Sequence, residues 1–227
     1  MMQKTPPITR GRKFAQVLDG ARKIFLRDGF EGASVDDIAR EAGVSKATLY
    51  SYFPDKRLMF IEVFRAELSR ETHDSKALVN IDLPVYQVLP FVVQMLTGHM
   101  VSEFGIRVYR LSAAEAERFP ALAAEYYNFG PRDVQFKLSE FLEYCVQRGE
   151  LEIDDLALAA DQLLQISGTR VFDKALFLGP AAVTDEEIKA VCAASVRMFL
   201  LTYGSEAVRD HVRGQDARPV RHSTAAE

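Results

Sequence analysis

The sequence predicts an all-α protein: a small N-terminal three-helix domain carrying a helix-turn-helix, then a larger helical domain. Three observations lead there. Apolar residues recur at helical spacing along most of the chain, and no stretch alternates convincingly as a strand would. Glycine and proline stand where those stripes stop, at Gly29, Pro54, Pro84, Pro120, Gly130-Pro131, Gly149 and Gly179-Pro180. No Gly/Ser-rich linker divides the chain, so its two parts are expected to pack rather than swing on a tether. With 48% hydrophobic and 26% charged residues in 227, a packed core is within reach. No internal repeat is visible.

Residues 1–8 contain Pro6-Pro7 and no periodicity. Two readings stand for them: an arm that touches a polyanion through Lys4, Arg10, Arg12 and Lys13, or a solvated tail. Thr9 is a candidate cap for a first helix, whose stripe is Phe14, Val17, Leu18, Ala21, Ile24 and Phe25. Gly29 ends it, and Phe30 is placed to fold back on Phe25.

The next run, Ser34 to Phe53, organises the chain. Ser34 is an N-cap with Asp37 three residues on, a capping-box pattern. Val35, Ile38, Ala39 and Ala42 then fall on one helical face. Gly43 follows, where a left-handed backbone suits only glycine, and Val44 plugs the corner. Ser45 caps a second helix from which Leu49 and Phe53 point inward. At 100° per residue the opposite face carries Ala47 and Ser51, flanked by Thr48 and Tyr50, with Lys46 in the first turn. Small, polar and basic residues on the outer face of such a second helix are what entry into a DNA major groove requires. Net charge is −4, but it is unevenly spread: residues 1–57 hold 11 Lys/Arg against 7 Asp/Glu, or +4, and the rest carry −8. A basic head on an acidic body suits a protein that offers one end to nucleic acid.

Pro54-Asp55 breaks the chain and caps a further helix, carried by Leu58, Phe60, Ile61, Phe64 and Leu68 to about Val79. Its first turn gathers backbone N–H groups, Lys56 and Arg57, an anion site fit for a phosphate. Running out of the small domain, it is placed to act as a lever. After the break at 80–84, helices are expected over about 84–100, 102–117, 120–129, 131–148, 154–178 and 185–203. The last two carry apolar sets (Leu156, Ala159, Ala160, Leu163, Ile166, Val171, Leu176 and Phe177; Ile188, Val191, Cys192, Ser195, Val196, Phe199 and Leu200) and small residues that allow close approach. They are read either as a two-fold four-helix interface or as plain core helices. Residues 209–227 show no apolar stripe and are expected to form a disordered tail. Cys145 and Cys192 sit inside apolar patterns and are read as buried free thiols, the alternative being a disulfide or redox switch.

Ile38-Ala39, Ala42-Gly43-Val44-Ser45 and Thr48-Leu49-Tyr50-Ser51-Tyr52-Phe53-Pro54-Asp55-Lys56 together resemble the DNA-binding signature of the TetR family of bacterial repressors, over roughly residues 9–60. Ala114 to Pro120 and Arg148-Gly149-Glu150-Leu151 resemble its AefR-like C-terminal domains. The resemblance implies an all-α homodimer whose N-terminal helices bind DNA and whose C-terminal domain binds a small effector and dimerises. It places Lys46, Ala47, Thr48 and Tyr50 in the groove or on its walls, with Ser45 at the helix start. It assigns phosphate contact to Tyr52 and Lys56, and it has Ser34 or Val35 present the amide end of the second helix to the backbone. The partners it implies are a double-stranded, near-palindromic operator, a small-molecule effector, and a second copy through helices 154–178 and 185–203.

The domain limits read from the sequence are 1–57 for the head, 58–208 for the effector and dimerisation domain, and 209–227 for the tail. Phe91, Met95, His99, Tyr109 and Tyr127 are candidate effector contacts, since apolar and aromatic walls with one or two polar groups suit a hydrophobic or aromatic molecule. The same residues describe an ordinary core. Catalysis is not expected: His73, His99, His211 and His222 form no His-x-x-x-His pair, and there is no Cys-x-x-Cys, Gly-rich phosphate loop or nucleophile elbow. No cofactor or metal is expected. No run reaches the roughly 20 apolar residues of a membrane helix, and Met1 to Lys4 lead into prolines rather than a signal sequence, so a cytoplasmic location is expected.

Overall fold

The computed structural model describes residues 11–63, 65–66, 83–114, 116–117 and 120–216. The N-terminal arm, the lever helix beyond residue 66 and the last part of the expected tail lie outside them. The described residues are helical apart from turns and one isolated bridge, Leu151 with Gly204. They form two compact units.

The first unit takes Met1–Asp74 and Glu103–Arg132. Helix α1, Arg12–Gly32, starts from Gly11, two residues later than a Thr9 cap would place it. Of the expected stripe Phe14, Val17, Ala21, Ile24 and Phe25 are buried, with Gly20 added, and Leu18 is half-buried against the core. Gly29 interrupts it at φ 72°, and Phe30 stacks on Phe25 with centroids 6.0 Å apart. Helices α2, Val35–Glu41, and α3, Lys46–Tyr52, follow. Gly43 between them has φ 63°, the left-handed value its position demands. Gly20 lies so close to α2 that a Cβ there would sit 2.8 Å from the Ala42 backbone nitrogen. Helix α4 runs from residue 56 to 63 within the described residues. Leu49, Phe53, Met59 and Val63 are essentially sealed from solvent.

This unit also includes α6, Glu103–Ala114, and α7, Pro120–Phe129. Val108 belongs to its core, and Phe104, Leu111 and Tyr126 pack against that core. The Arg107 guanidinium donates to the carbonyls of Phe25 and Leu26, just before the Gly29 break. Arg65 pairs with Glu125 at 2.9 Å and lies 4.3 Å over the Phe129 ring. A head ending at residue 57 therefore differs from this unit, which draws α6 and α7 in through Val108 and Arg107. Contacts so distant in sequence leave no local pattern.

The second unit takes Ser75–Ser102 and Asp133–Glu227. It contains α5, Val85–Met100; most of α8, Pro131–Gln147; α9, Leu156–Ser167; α10, Val171–Leu178; α11, Asp185–Tyr203; and α12, Glu206–Asp216. Its core joins Leu89, Val93, Leu142, Leu163, Val196 and Leu200. The Arg148–Leu151 corner fastens three helix ends. Gly149 turns it at φ 73°, and a Glu150 oxygen accepts the Val85 N–H at 3.3 Å, serving α5 where Pro84 offers no side-chain cap. Ser205 N–H donates to Glu150 O and Glu152 N–H to Tyr203 O, tying in the end of α11.

Two expectations are corrected here. The helix expected over 154–178 is two helices, broken at Gly168–Arg170. A Cβ on Gly168 would meet the Met100 methyl at 2.7 Å, and Arg170 adopts φ 70°, which takes the chain out of the α conformation. Phe177, counted in that helix's apolar set, is 78% exposed. The tail expected from residue 209 is helical to Asp216, because Val208 and Val212 insert into the core and Arg209 pairs with Glu152 at 3.2 Å. Cys145 and Cys192 are buried free thiols. Burial pushes the Cys145 thiol up to about 12 and raises that of Cys192, partly offset by the Thr97 hydroxyl beside it.

Candidate nucleic-acid interface

Both helices of the motif are held by their caps. The Ser34 hydroxyl accepts the Asp37 N–H at 3.0 Å and donates to the Asp37 carboxylate at 2.6 Å. The Ser45 hydroxyl accepts the Thr48 N–H at 3.1 Å and lies 2.9 Å from the Thr48 hydroxyl. Each cap satisfies one of the N–H groups a helix start leaves open. Ser34 and Ser45 thus have structural duties within the protein, and the half-buried Val35 packs on the core of the first unit.

The outer face of α3 is as expected. Leu49 is fully buried, while Lys46, Ala47, Tyr50 and Ser51 are exposed and Thr48 is half-buried. Tyr52, half-buried, meets Phe14 edge-on at 5.8 Å, and Phe14 stacks on Phe53 at 5.3 Å. The exposed Tyr50 and the half-buried Tyr52 therefore flank a firmly seated inner edge.

The charges are arranged in a way the sequence did not disclose. All six Lys and Arg from residue 23 to 57 have partners inside the protein. Lys23 lies 3.1 Å from Asp19 and 3.2 Å from Glu41. Arg27 pairs with Asp28 at 2.7 Å, and Arg40 with Asp37. Lys46 pairs with Asp36, from the first turn of α3 to the first turn of α2. Arg57 Nε donates to Asp55 at 2.8 Å. Lys56 donates to the carbonyls of Phe30 at 2.7 Å and Ala33 at 3.1 Å, its ammonium 4.5 Å over the Phe30 ring. The Asp36 partner raises the Lys46 ammonium, and the Arg57 guanidinium lowers the Asp55 carboxyl. Arg12 and Lys13 stand exposed at the start of α1. Asp36 was passed over in the sequence because an acid on a DNA-facing helix has no obvious duty there.

The candidate effector residues divide between the units. Phe91, Met95 and His99 follow one another at four-residue spacing on α5 in the second unit, Phe91 being 64% exposed. Tyr109 and Tyr127 belong to the first unit. Tyr109 meets Tyr126, not Tyr127, with ring centroids 6.4 Å apart. Burial pushes the Tyr126 phenol up to about 12, while Tyr127 is 60% exposed. Adjacent tyrosines on a helix with no clear apolar stripe gave no means of telling which faces inward. Among the described residues no cluster of His, Cys, Asp and Glu could hold a metal ion, and no helix is long and apolar enough to cross a membrane.

A capped helix-turn-helix with an exposed, polar second helix, on a helical protein, defines a DNA-binding regulator. Residues 17–63 match the family described as bacterial regulatory proteins, tetR family, and residues 87–205 match the AefR-like transcriptional repressor C-terminal domain. The chain belongs to the TetR family of transcriptional regulators, which are not enzymes. A TetR-family regulator structure from Mesorhizobium loti is similar at TM-score 0.78 and 27% identity, over 85% of this chain and 97% of that one. The flavonoid-responsive regulator FrrA is similar at TM-score 0.64 and 32% identity, over 86% and 99%. The HTH-type transcriptional regulator YdeS of Bacillus subtilis is 30% identical over 69% of this chain and 80% of that protein. The fatty acid metabolism regulator protein of Bacillus subtilis and the AcnR repressor of Corynebacterium efficiens match over only about a third of their own length.

Proposed function

We propose that the chain is a homodimeric repressor that binds a near-palindromic operator and is released by a small hydrophobic or aromatic effector. The observation that carries the DNA part is α3, a helix whose inner side is sealed and whose outer side offers Lys46, Ala47, Thr48 and Tyr50. In this reading Lys46 and Thr48 reach base edges and Ala47 meets a thymine methyl. Tyr52 positions the module on phosphate. Lys56 works at phosphate only with what its two carbonyl bonds leave over, since an ammonium has three donors. Residues 1–57 serve as the head, 58–208 as the effector and dimerisation part, and the helix from residue 56 as the lever between them. The expected location is the cytoplasm.

A second copy is expected on the α9–α11 surface, where Leu158, Phe177, Leu178 and Met198 are exposed. Exposed apolar side chains of this size suit a protein interface. Two heads would then meet half-sites about one helical turn (about 34–36 Å) or a related spacing apart. The aromatic class of effector is favoured by the name of FrrA, which responds to flavonoids, and by Phe91, Met95, His99, Tyr109 and Tyr127 as contacts. An effector that binds the two head arrangements unequally by about 1–3 kcal/mol would change operator affinity by about 5–150-fold.

The test is titration of the upstream intergenic DNA at several salt concentrations. Salt-sensitive binding is expected, weakened on all sequences by Tyr52→Ala. Absence of salt-sensitive binding removes the repressor reading, and loss confined to one base position removes the phosphate role of Tyr52.

A further inference from the structure

The Asp36–Lys46 pair is the one ion pair of the motif that joins α2 to α3, among the described residues. Both side chains are more than half exposed. The first turn of α2 carries two carboxylates, Asp36 and Asp37, on the helix end that the DNA-binding reading turns toward the phosphate backbone. A carboxylate there repels phosphate unless neutralised. Asp37 is neutralised within its own helix by Arg40 and the Ser34 hydroxyl, an arrangement that need not change on DNA. The counter-charge on Asp36 comes from α3 instead, from the residue proposed to read bases.

We propose that Asp36 is a specificity-determining residue, which holds the Lys46 ammonium against α2 on DNA of arbitrary sequence and yields it only where a base edge offers better acceptors. The inference rests on the DNA-binding reading above. Leaving Asp36 uncovers a carboxylate beside the backbone whichever acceptor Lys46 takes, so exchange for a single phosphate contact gains little. Moving Lys46 to the O6 and N7 of a guanine replaces one acceptor with two that lie deeper in the groove. An exposed pair is weak enough to be exchanged in this way. Lys46 is the one Lys or Arg on α3, so it is the adjustable charge of that helix.

The experiment compares wild type with Asp36→Asn, Lys46→Met and the double variant. Two duplexes serve: one enriched from a random pool by the wild-type protein, and a scrambled duplex of the same length and composition. Asp36→Asn should bind the scrambled duplex about 3–10-fold more tightly, with a log–log salt slope steeper by about one per head, as one more phosphate contact requires. The enriched duplex should gain less, so discrimination falls. Lys46→Met placed on Asp36→Asn should abolish the gain. Equal gains on both duplexes, or a gain that persists without Lys46, would overturn the proposal, since Asp36 would then act by its own charge alone. Asp36→Glu should restore discrimination, which a general effect on folding would not. If the wild type itself shows no salt-sensitive binding to either duplex, it is the DNA-binding reading that fails, and this inference with it.

Discussion

The surface around α3 and the surface around α9–α11 are opposites. The first is rich in charge, yet its six cations from residue 23 to 57 are bound to acids or carbonyls of the same unit. The second leaves Leu158, Phe177, Leu178 and Met198 in solvent, with Phe177 78% and Leu178 72% exposed. A satisfied polar surface binds by exchange: each new contact replaces an internal one, so the gain depends on how well the newcomer fits. An uncovered apolar surface binds by removal from water, and nearly any complementary apolar face adds to it. The same chain therefore carries one surface suited to discrimination and one suited to lasting association.

Three substitutions or measurements probe that contrast. The largest effect belongs to neither surface but to what supports the first. Leu49→Ala empties a fully buried site behind the reading face and should destabilise the first unit by about 2–5 kcal/mol, seen as a lower denaturant midpoint. A smaller loss than Leu163→Ala gives in the second unit would mean the motif collapses around the gap. Next comes Met198→Asp. Because Met198 is already 54% exposed, the isolated subunit should keep its stability within about 0.5 kcal/mol. Self-association should weaken at least about tenfold, about 1.4 kcal/mol, by sedimentation equilibrium. Unchanged association would place the dimer contact elsewhere.

The effect that is smallest near neutral pH is at Cys145. Burial pushes its thiol up to about 12 in the folded protein from an ordinary 9.0. The native state holds the proton longer, so this contribution is complete below about pH 9 and is lost as pH rises toward 12. The slope is at most about 1.4 kcal/mol per pH unit. Denaturation of wild type and Cys145→Ala across alkaline pH should show the steeper fall in wild type. Parallel curves would mean that the folded thiol ionises as the unfolded one does.

The helix-turn-helix was legible in the sequence because its signals are local. Ser34, Ser45, Gly43 and the inward Leu49 and Phe53 each act within a turn or two, and each stands as read. The ion pairs were not legible, because joining Asp36 to Lys46 depends on how two helices cross. α12 escaped because its inward residues, Val208 and Val212, are only two in a charged segment. The break at Gly168–Arg170 escaped because the residue that leaves the α conformation is Arg170, and arginine is not a residue from which positive φ is inferred. For the effector residues, helical aromatic spacing could not distinguish inward from outward. Phe91 and Tyr127 are exposed, and Tyr126 is the inward member of its pair, which the spacing alone did not show.

The approach of Gly20 to Ala42 has a mechanical meaning. Where two helices meet through side chains, evolution can change their spacing a methyl group at a time. Here α1 and α2 meet backbone to backbone, 2.8 Å from the place a Cβ would occupy, so no shim can be inserted or removed. The seat of the reading helix is thus machined to a fixed gauge, set by the backbone and not by side chains that could be trimmed.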